Sequence, residues 1–249
     1  MKLITIFSLC TVALLTSCKT TKPFDPATVP PGFTERGFIP YTTPRGNPND
    51  PALWNEQGPG AIRNPAAGSV TATATRIIGA DLVTSLAKRE HPVAITAFDH
   101  TEITERHLNL LGSGPQSVVR SLKATLKLSA DIEASVVMGQ VSEIALSELE
   151  MLDACKKNHA AATLTDKMRR DLRDGRRHLV LGAIYADSMT YKFSRKQTTG
   201  GSLAITLPQT ADLNIDGNNY HWTQAGYVMT EPRFLGYRLL GRDEVREVF

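Results

Sequence analysis

Residues 122–136, LKATLKLSADIEASV, alternate strictly between apolar and polar side chains. Successive side chains of a β-strand point to opposite faces of a sheet, so this period of two predicts a strand with one buried and one solvated face. Fifteen residues at about 3.3 Å each would make a strand of roughly 50 Å, unless a bend at Ala130-Asp131 divides it. The chain is therefore expected to contain at least one long amphipathic strand.

Residues 179–193, LVLGAIYADSMTYKF, nearly repeat this pattern, with Asp187 as the interruption. Asp216-Gly217 is a common tight-turn pair between two alternating runs and predicts a hairpin. Together these segments predict an antiparallel sheet. Shorter apolar runs predict further strands at residues 93–98, 141–146, 203–207 and 235–239.

Helices are predicted before and between the long strands. Apolar residues at four-residue spacing over 70–90 predict a helix that ends at His91-Pro92, because proline excludes the α conformation from the residue before it. A later helix is expected to start at Thr165 or Asp166 and to end at Gly175. The predicted fold is α+β, an antiparallel sheet with long amphipathic strands and two or three helices.

Residues 19–68 differ in composition from the rest of the chain, since ten of the fourteen prolines fall there. Proline fixes φ and lacks an amide donor, so neither a helix nor a central strand can run through this segment. We therefore expect a Pro/Gly-rich extended tether over 18–68 and a folded domain over 69–249. Apolar residues recur along the tether and indicate that parts of it lie against the domain or a partner: Phe24, Phe33, Phe38, Ile39, Tyr41, Leu53 and Trp54.

The first eighteen residues have the order of an export signal. Lys2 gives a positive start, and Leu3–Leu15 is a mostly apolar run that is too short to cross about 30 Å of hydrocarbon. Its end, Leu15-Thr16-Ser17-Cys18, resembles the lipobox of bacterial lipoproteins. The resemblance implies that residues 1–17 are removed as a signal peptide. It also implies that Cys18 is acylated, with two or more chains for stable binding, and anchors the mature protein to a membrane.

Lys19 follows the cysteine, and no Asp stands there. In Gram-negative lipoproteins an Asp at that place is associated with retention in the inner membrane. For a Gram-negative source the resemblance therefore implies the outer membrane, with the domain facing the periplasm or the exterior. The alternative is a plain signal peptide in which a cysteine falls at this position by chance.

The net charge and the cysteine count narrow the function classes. The formal net charge is +3, and +2 without Lys2, so the chain lacks the basic footprint of a nucleic-acid-binding protein. Cys10 would leave with the signal and Cys18 would carry lipid, so Cys155 stands alone and no intramolecular disulfide is possible in the mature chain. Cys155 is expected to be a buried small apolar residue, and pairing between two chains is the alternative.

Two sequence patterns carry weak metal-binding signals. Asp212 to Gly217 matches the first half of a calcium-binding loop, but the twelfth position holds Thr223 in place of the bidentate Glu, so a hairpin turn is favoured. A second polar stretch matches no known zinc spacing, and a solvated segment is favoured there. The residues of this second stretch are Asp99, His100, Glu102, Glu105 and His107. We expect no metal, no cofactor and no catalytic residue.

One basic cluster falls at the end of the helix predicted after Thr165. Three aspartates dilute it, and arginines near a helix C-terminus complement the macrodipole, so a solvated helix end is favoured. The alternative is contact with anionic lipid headgroups or an acidic partner, which an anchor would hold at high effective concentration. The cluster includes Lys167 and His178, and the candidate contact residues within it are Arg169, Arg170, Arg173, Arg176 and Arg177.

These features predict a membrane-anchored, non-catalytic envelope lipoprotein that holds or assembles envelope components through a protein partner. A second interpretation is membrane insertion, because strands with one apolar face cross bilayers with about nine to eleven residues. The order of elements over roughly the last 120 residues loosely resembles the back half of the gasdermin pore-forming domain, which implies a pore-forming protein. No specific motif carries that resemblance, so no residue role is transferred. A third interpretation is an enzyme whose site is assembled from distant residues.

Overall fold

The computed structural model describes residues 32–48, 58–63, 93–160, 165–196, 202–205, 212–224 and 226–248. The predicted signal and lipobox of residues 1–18 and the predicted helix of residues 70–90 lie outside these ranges. Within them the chain forms two antiparallel sheets and four α-helices, which confirms the α+β class. The expected single sheet is thus two sheets, and the described part alone has more helices than expected.

The strands are β1 (Ile39–Arg45), β2 (Ile62–Arg63), β3 (Val93–Ala94), β4 (Glu102–Thr104), β5 (Ile132–Met138), β6 (Val141–Ala145), β7 (His178–Ala186), β8 (Met189–Lys196), β9 (Ser202–Ala204), β10 (Leu213–Ile215), β11 (Asn218–Thr223), β12 (Gly226–Met229) and β13 (Arg233–Leu239). The helices are a 3-10 helix, η1 (Glu105–Leu111), and α1 (Ser113–Thr125), α2 (Glu148–Ala160), α3 (Asp166–Arg173) and α4 (Arg242–Val248). The first sheet has the order β1-β13-β7-β6-β3, with β2 also beside β7. The second has the order β10-β11-β12-β8-β5-β4, with β9 also beside β8.

One long antiparallel ribbon, whose two arms are connected through α2 and α3 and which we call the long hairpin, belongs to both sheets. Its arms are β5 followed by β6, and β7 followed by β8. Ile132 faces Arg195 at one end and Ala145 faces Gly182 at the other, and the register does not shift between these pairs. The hairpin therefore pairs fourteen residues on each arm and runs from the second sheet into the first.

The chain bends where this hairpin passes between the sheets, and we call residues 139–140 and 187–188 the sheet junction. Hydrogen bonds from the Gly139 N–H to the Ser188 carbonyl (2.8 Å) and from the Asp187 N–H to the Gln140 carbonyl (2.9 Å) carry the pairing through it. A Cβ on Gly139 would lie 2.5 Å from the Ser188 hydroxyl oxygen and 3.3 Å from the Ser188 backbone nitrogen, so a larger residue there would require the Ser188 side chain to move. The junction is thus a bend in a continuous ladder.

The predicted long strand over 122–136 is wrong in its first half, which lies in α1 and the turn after it. Lys127 has φ +52°, and the Leu128 N–H bonds to the Lys123 carbonyl at 2.9 Å, the closure typical of a helix C-terminus. The strand begins only at Ile132, and from there the predicted alternation of buried and half-exposed residues holds up to Val136.

The reason for the error is that two periods coincide in this stretch. Val118, Leu122 and Leu126 are four residues apart, a spacing that fits one face of a helix as well as every second position of a strand. Val118 and Leu122 are fully buried on α1, whereas Ala124 is exposed. Leu126 and Leu128 are partly buried against the same core and lie outside any strand.

The second long run, 179–193, forms two strands that are separated at Asp187, as its interruption predicts. Its odd-numbered residues enter two different cores. Those of β7 pack with α2, α3 and α4 on the first sheet, whereas those of β8 pack with α1 on the second. Val180 and Ile184 are also fully buried. The predicted solvated face is therefore wrong for β7, which is covered on both sides.

The described parts of the predicted tether are built into the folded domain. β1 pairs with β13 at the edge of the first sheet, which is where a sheet tolerates the prolines Pro40 and Pro44. Phe33, Phe38 and Tyr41 are buried. Residues 32–48 therefore belong to the domain, N-terminal to the boundary predicted at residue 69. Phe24, Leu53 and Trp54 lie outside the described residues.

Substitution of Phe33 by Ala tests this assignment. Phe33 is fully buried, and its ring stacks edge-on against Phe98 with 4.9 Å between centroids. Phe33→Ala is expected to lower the free energy of unfolding by about 3–5 kcal/mol, because it removes a buried aromatic ring and leaves a cavity. Ile39→Ala is the control, since Ile39 is 41% exposed and should cost under about 1 kcal/mol. Equal, small losses in chemical denaturation would mean that this segment is only a spacer.

Candidate functional site

Helix α3 and the turn after it carry the five arginines that the sequence singles out. Thr165 caps the helix, as predicted, by accepting a hydrogen bond from the Met168 N–H at 3.3 Å. Leu172 is buried and Met168 is half-buried against the core under the first sheet. Gly175, with φ +72°, follows the end of the helix. The buried residues fix which face of α3 meets solvent.

A buried carboxylate holds two of the arginines. Asp171 is 9% exposed. The Arg176 Nε lies 2.9 Å from one of its oxygens, and the Arg177 Nε lies 3.4 Å from the other. Arg176 also reaches Asp174 at 2.9 Å. A carboxylate can be buried when it is paired in this way, so Arg176 and Arg177 serve to hold the turn together.

The remaining cations of α3 divide into one paired residue and an exposed row. Arg169 forms an ion pair with Asp166. Lys167, Arg170 and Arg173 are exposed and lie three residues apart, so each is the neighbour of the next in an oblique row on the helix surface that spreads over about 120°. Within the described residues, Arg173 is the only one of the three with an ion pair, at 3.7 Å from Asp174. We call Lys167, Arg170 and Arg173 the basic strip.

The basic strip differs from the set predicted from the sequence. Lys167 is absent from that set, and three of its five members are engaged in close ion pairs inside the helix and turn. Only Arg170 and Arg173 belong to both. Lys167 is a member of the predicted basic cluster but not one of its candidate contact residues, although the three-residue spacing makes it a neighbour of Arg170 on the helix surface. Which arginine forms an ion pair with which aspartate could not have been predicted from the helical period.

Further positive charge lies beyond the end of α3. The Arg242 Nη2 donates to the Asp174 carbonyl at 3.1 Å, and the guanidinium passes 3.3 Å from where a Cβ on Gly175 would be. Burial, and then the charge of Arg242, lower the pKa of His178 below its ordinary value of 6.5. The positive region therefore extends from α3 to Arg242 at the start of α4, whereas His178 at the start of β7 favours its neutral form.

The polar stretch over 99–107 forms structural contacts. Burial acts to raise the pKa of Glu102, but hydrogen bonds from Ser135 (2.7 Å) and Lys192 (3.0 Å) outweigh it and lower the pKa. Glu105 accepts hydrogen bonds from Lys123 and from a backbone N–H of β5. In the parts of the chain that are described, no three His, Cys, Asp or Glu side chains are grouped to hold a metal ion.

The segment that resembles half of a calcium loop is a hairpin, as the sequence analysis favoured. Asp216 and Gly217 both have positive φ, and they connect β10 to β11. The next residue, Asn218, is 2% exposed and was not indicated by the sequence. Its Nδ2 donates to the Pro44 carbonyl at 3.0 Å, and its Oδ1 accepts from Arg233 at 2.8 Å. This buried amide fastens the hairpin to β1.

Two carboxylates approach each other at the sheet junction. Burial raises the pKa of Asp187, and the charge of Asp99 raises it further. No described basic side chain lies within ion-pair distance of Asp187. The negative charge of Asp187 is therefore unfavourable in the folded protein at neutral pH.

Replacement of Asp187 by Asn is expected to raise the melting temperature at pH 7 by about 1–3 °C. A carboxyl whose pKa is raised binds more protons in the folded state, so its contribution to stability falls as the pH rises above 3.8. The gain should therefore disappear near pH 3.5. Glu102→Gln is the control of opposite sign, because the pKa of Glu102 is lowered and the variant should lose stability at pH 7. A gain from Asp187→Asn that is independent of pH would contradict this account.

No protein-family model matches the sequence, and no curated protein is similar to it. Among the described residues, no helix is long and apolar enough to span a membrane. The predicted lipidation site, Cys18, lies outside the described residues. Cys155 lies in α2, and its side chain is likewise outside the described part of the chain.

Proposed function

We propose that the protein is a lipid-anchored component of the cell envelope that acts by binding other envelope components. The observation that carries the proposal is the sequence Leu15-Thr16-Ser17-Cys18 after a short apolar run with a positive start. Acylation of Cys18 would tether the folded domain to the membrane, on the periplasmic or exterior side. In a Gram-negative cell, Lys19 after the cysteine favours the outer membrane.

Covalent geometry limits how far the domain can lie from its anchor. Residues 19–31 separate Cys18 from the first described residue, Gly32, which leaves fourteen Cα–Cα steps between the two. Fourteen such steps can span at most about 50 Å when the chain is fully extended, which is close to the diameter of a domain of this size, about 45 Å. Any partner that binds the domain is therefore expected to be at the membrane as well.

The charged side chains that look most like a chemical site in the sequence are engaged in contacts within the domain, and this supports a binding role. Glu102 and Glu105 are engaged by Ser135, Lys192 and Lys123, which link η1, α1 and the second sheet. The arginines after α3 are engaged by Asp171. Such groups stabilise the scaffold, and the exposed charge that remains is suited to contacts with a partner or a surface.

Mass spectrometry of the protein extracted from membranes tests the anchor. The N-terminal peptide is expected to begin at Cys18 and to carry at least two acyl chains. Labelling with a radioactive fatty acid should give the same result. An unmodified N-terminus, or cleavage at another residue, would contradict the proposal.

Crosslinking in intact cells, followed by purification from solubilised envelopes, tests the binding role. The anchored protein is expected to recover a defined set of envelope proteins, and Cys18→Ala is expected to recover fewer of them because it is no longer held beside them. Recovery of the same set by both proteins would mean that the anchor does not localise the interaction.

A second candidate function, membrane insertion, is favoured by the long hairpin. Its arms pair over fourteen residues, more than the about nine to eleven residues that a transmembrane strand needs. The test is dye release from liposomes by the mature chain with Cys18→Ser. Release by this chain would favour insertion over the binding role, and absence of release would favour the binding role.

A further inference from the structure

The three cations of the basic strip are not placed where they would stabilise α3. Lys167 is the second residue of α3, where a positive charge opposes the helix dipole. Arg170 and Arg173 follow at three-residue spacing, so like charges are neighbours on the helix surface and repel one another. The macrodipole accounts for arginines in the last turn, but it does not account for the row as a whole.

The carboxylates near the strip are occupied elsewhere. Asp171 is buried under Arg176 and Arg177, and Asp166 is paired with Arg169. Asp174 binds Arg176 at 2.9 Å and lies farther, at 3.7 Å, from Arg173. The exposed face of α3 therefore presents three cations without a strong internal counterion in the described part of the structure.

We propose that the basic strip binds the phosphate groups of anionic phospholipids in the membrane to which Cys18 is attached. The inference rests on the proposed function, because the anchor is what holds α3 near a lipid surface. Guanidinium and ammonium groups both pair strongly with phosphate oxygens. The partial exposure of Arg173, 50% for its side chain, leaves the group accessible to a flat surface.

The anchor and the strip would act together. The tether places the domain within about 50 Å of the bilayer, so lipid contact becomes intramolecular and is stronger than the contact that the untethered chain makes. Each Lys or Arg near an anionic membrane strengthens binding by about fivefold. The strip would orient the domain with α3 toward the lipid.

Vesicle co-sedimentation of the mature chain, residues 18–249 with Cys18→Ser, tests the inference without the acyl anchor. The probes are vesicles of phosphatidylcholine alone and of phosphatidylcholine with phosphatidylglycerol. We expect binding only to the anionic vesicles, and a loss of about a hundredfold in the triple variant Lys167→Gln, Arg170→Gln, Arg173→Gln. The matched control is Arg106→Gln, Arg120→Gln, Lys156→Gln, which removes three other exposed cations and the same charge.

Three further measurements sharpen the result. Inorganic phosphate at low millimolar concentration should not displace the protein, because a single phosphate cannot bridge the strip, whereas high salt should release it. Arg170→Lys with Arg173→Lys should keep most of the binding, since the charge is retained. Equal loss in the triple variant and its control, or loss in the Lys variant, would overturn the inference. A failure of the Cys18→Ser chain to bind anionic vesicles would also overturn the inference. Acylation at Cys18 is tested separately, by mass spectrometry.

Discussion

Replacement of Cys18 by Ala is expected to move the protein from the membrane fraction to the soluble fraction, or to block removal of the signal. Acylation of Cys18 would supply all of the anchoring in the proposed function. Each buried methylene contributes about 0.8 kcal/mol, so loss of two or more acyl chains removes far more binding energy than the basic strip can supply. Fractionation of cells after a high-salt wash measures the change.

Cys155→Ala is the matched control, because it removes the other cysteine of the mature chain and leaves the anchor intact. It should stay in the membrane fraction. Normal processing of Cys18→Ala together with retention in the salt-washed membranes would show that the lipoprotein interpretation is wrong. Retention that high salt abolishes would instead be the behaviour expected of the basic strip.

Substitution of Gly226 by Ala is expected to lower the free energy of unfolding by about 2–5 kcal/mol. Gly226 begins β12 with φ +135°, and a Cβ there would lie 2.1 Å from the carbonyl oxygen of Tyr191 on β8. The obstacle is backbone and cannot rotate away. The strand must therefore shift, which breaks pairing between β8 and β12 beside the buried rings of Tyr191 and Tyr227.

Gly217→Ala separates backbone strain from the steric clash. Gly217 also has a positive φ, +79°, but nothing lies within 4 Å of the position of its Cβ. It should cost only about 1–2 kcal/mol, the strain of the left-handed conformation. Equal losses for the two variants in urea denaturation would mean that the close approach of β8 and β12 is relaxed in solution.

Local signals in the sequence were sufficient for several elements. The Thr165 cap, the turn at Asp216-Gly217 and the break at Asp187 were predicted and are confirmed. Each depends on the conformational preference or hydrogen bonding of a few adjacent residues, so no distant contact is needed to identify it. The α+β class follows from the sum of such signals. The anchor at Cys18 stays a prediction of the same local kind.

Other features depend on contacts between residues far apart in the chain. The apolar residues of the stretch 122–136 fit the period of a strand and also the period of a helix. Its first residues are helical because Val118 and Leu122 pack against the second sheet. The burial of Phe33 in a proline-rich segment depends on Phe98, which no local rule connects to it.

The sequence by itself determined the class of fold, the main turns and caps, the expected membrane anchor and the presence of a basic cluster. Only the tertiary structure decided that the sheet is divided at a junction and that the N-terminal segment is an edge strand. It also decided which cations remain exposed. Asp171 is buried by the packing of α3 and draws Arg176 and Arg177 inward, because a buried carboxylate needs a counterion. Composition counts charges, whereas burial determines which of them must be paired and which remain for a partner.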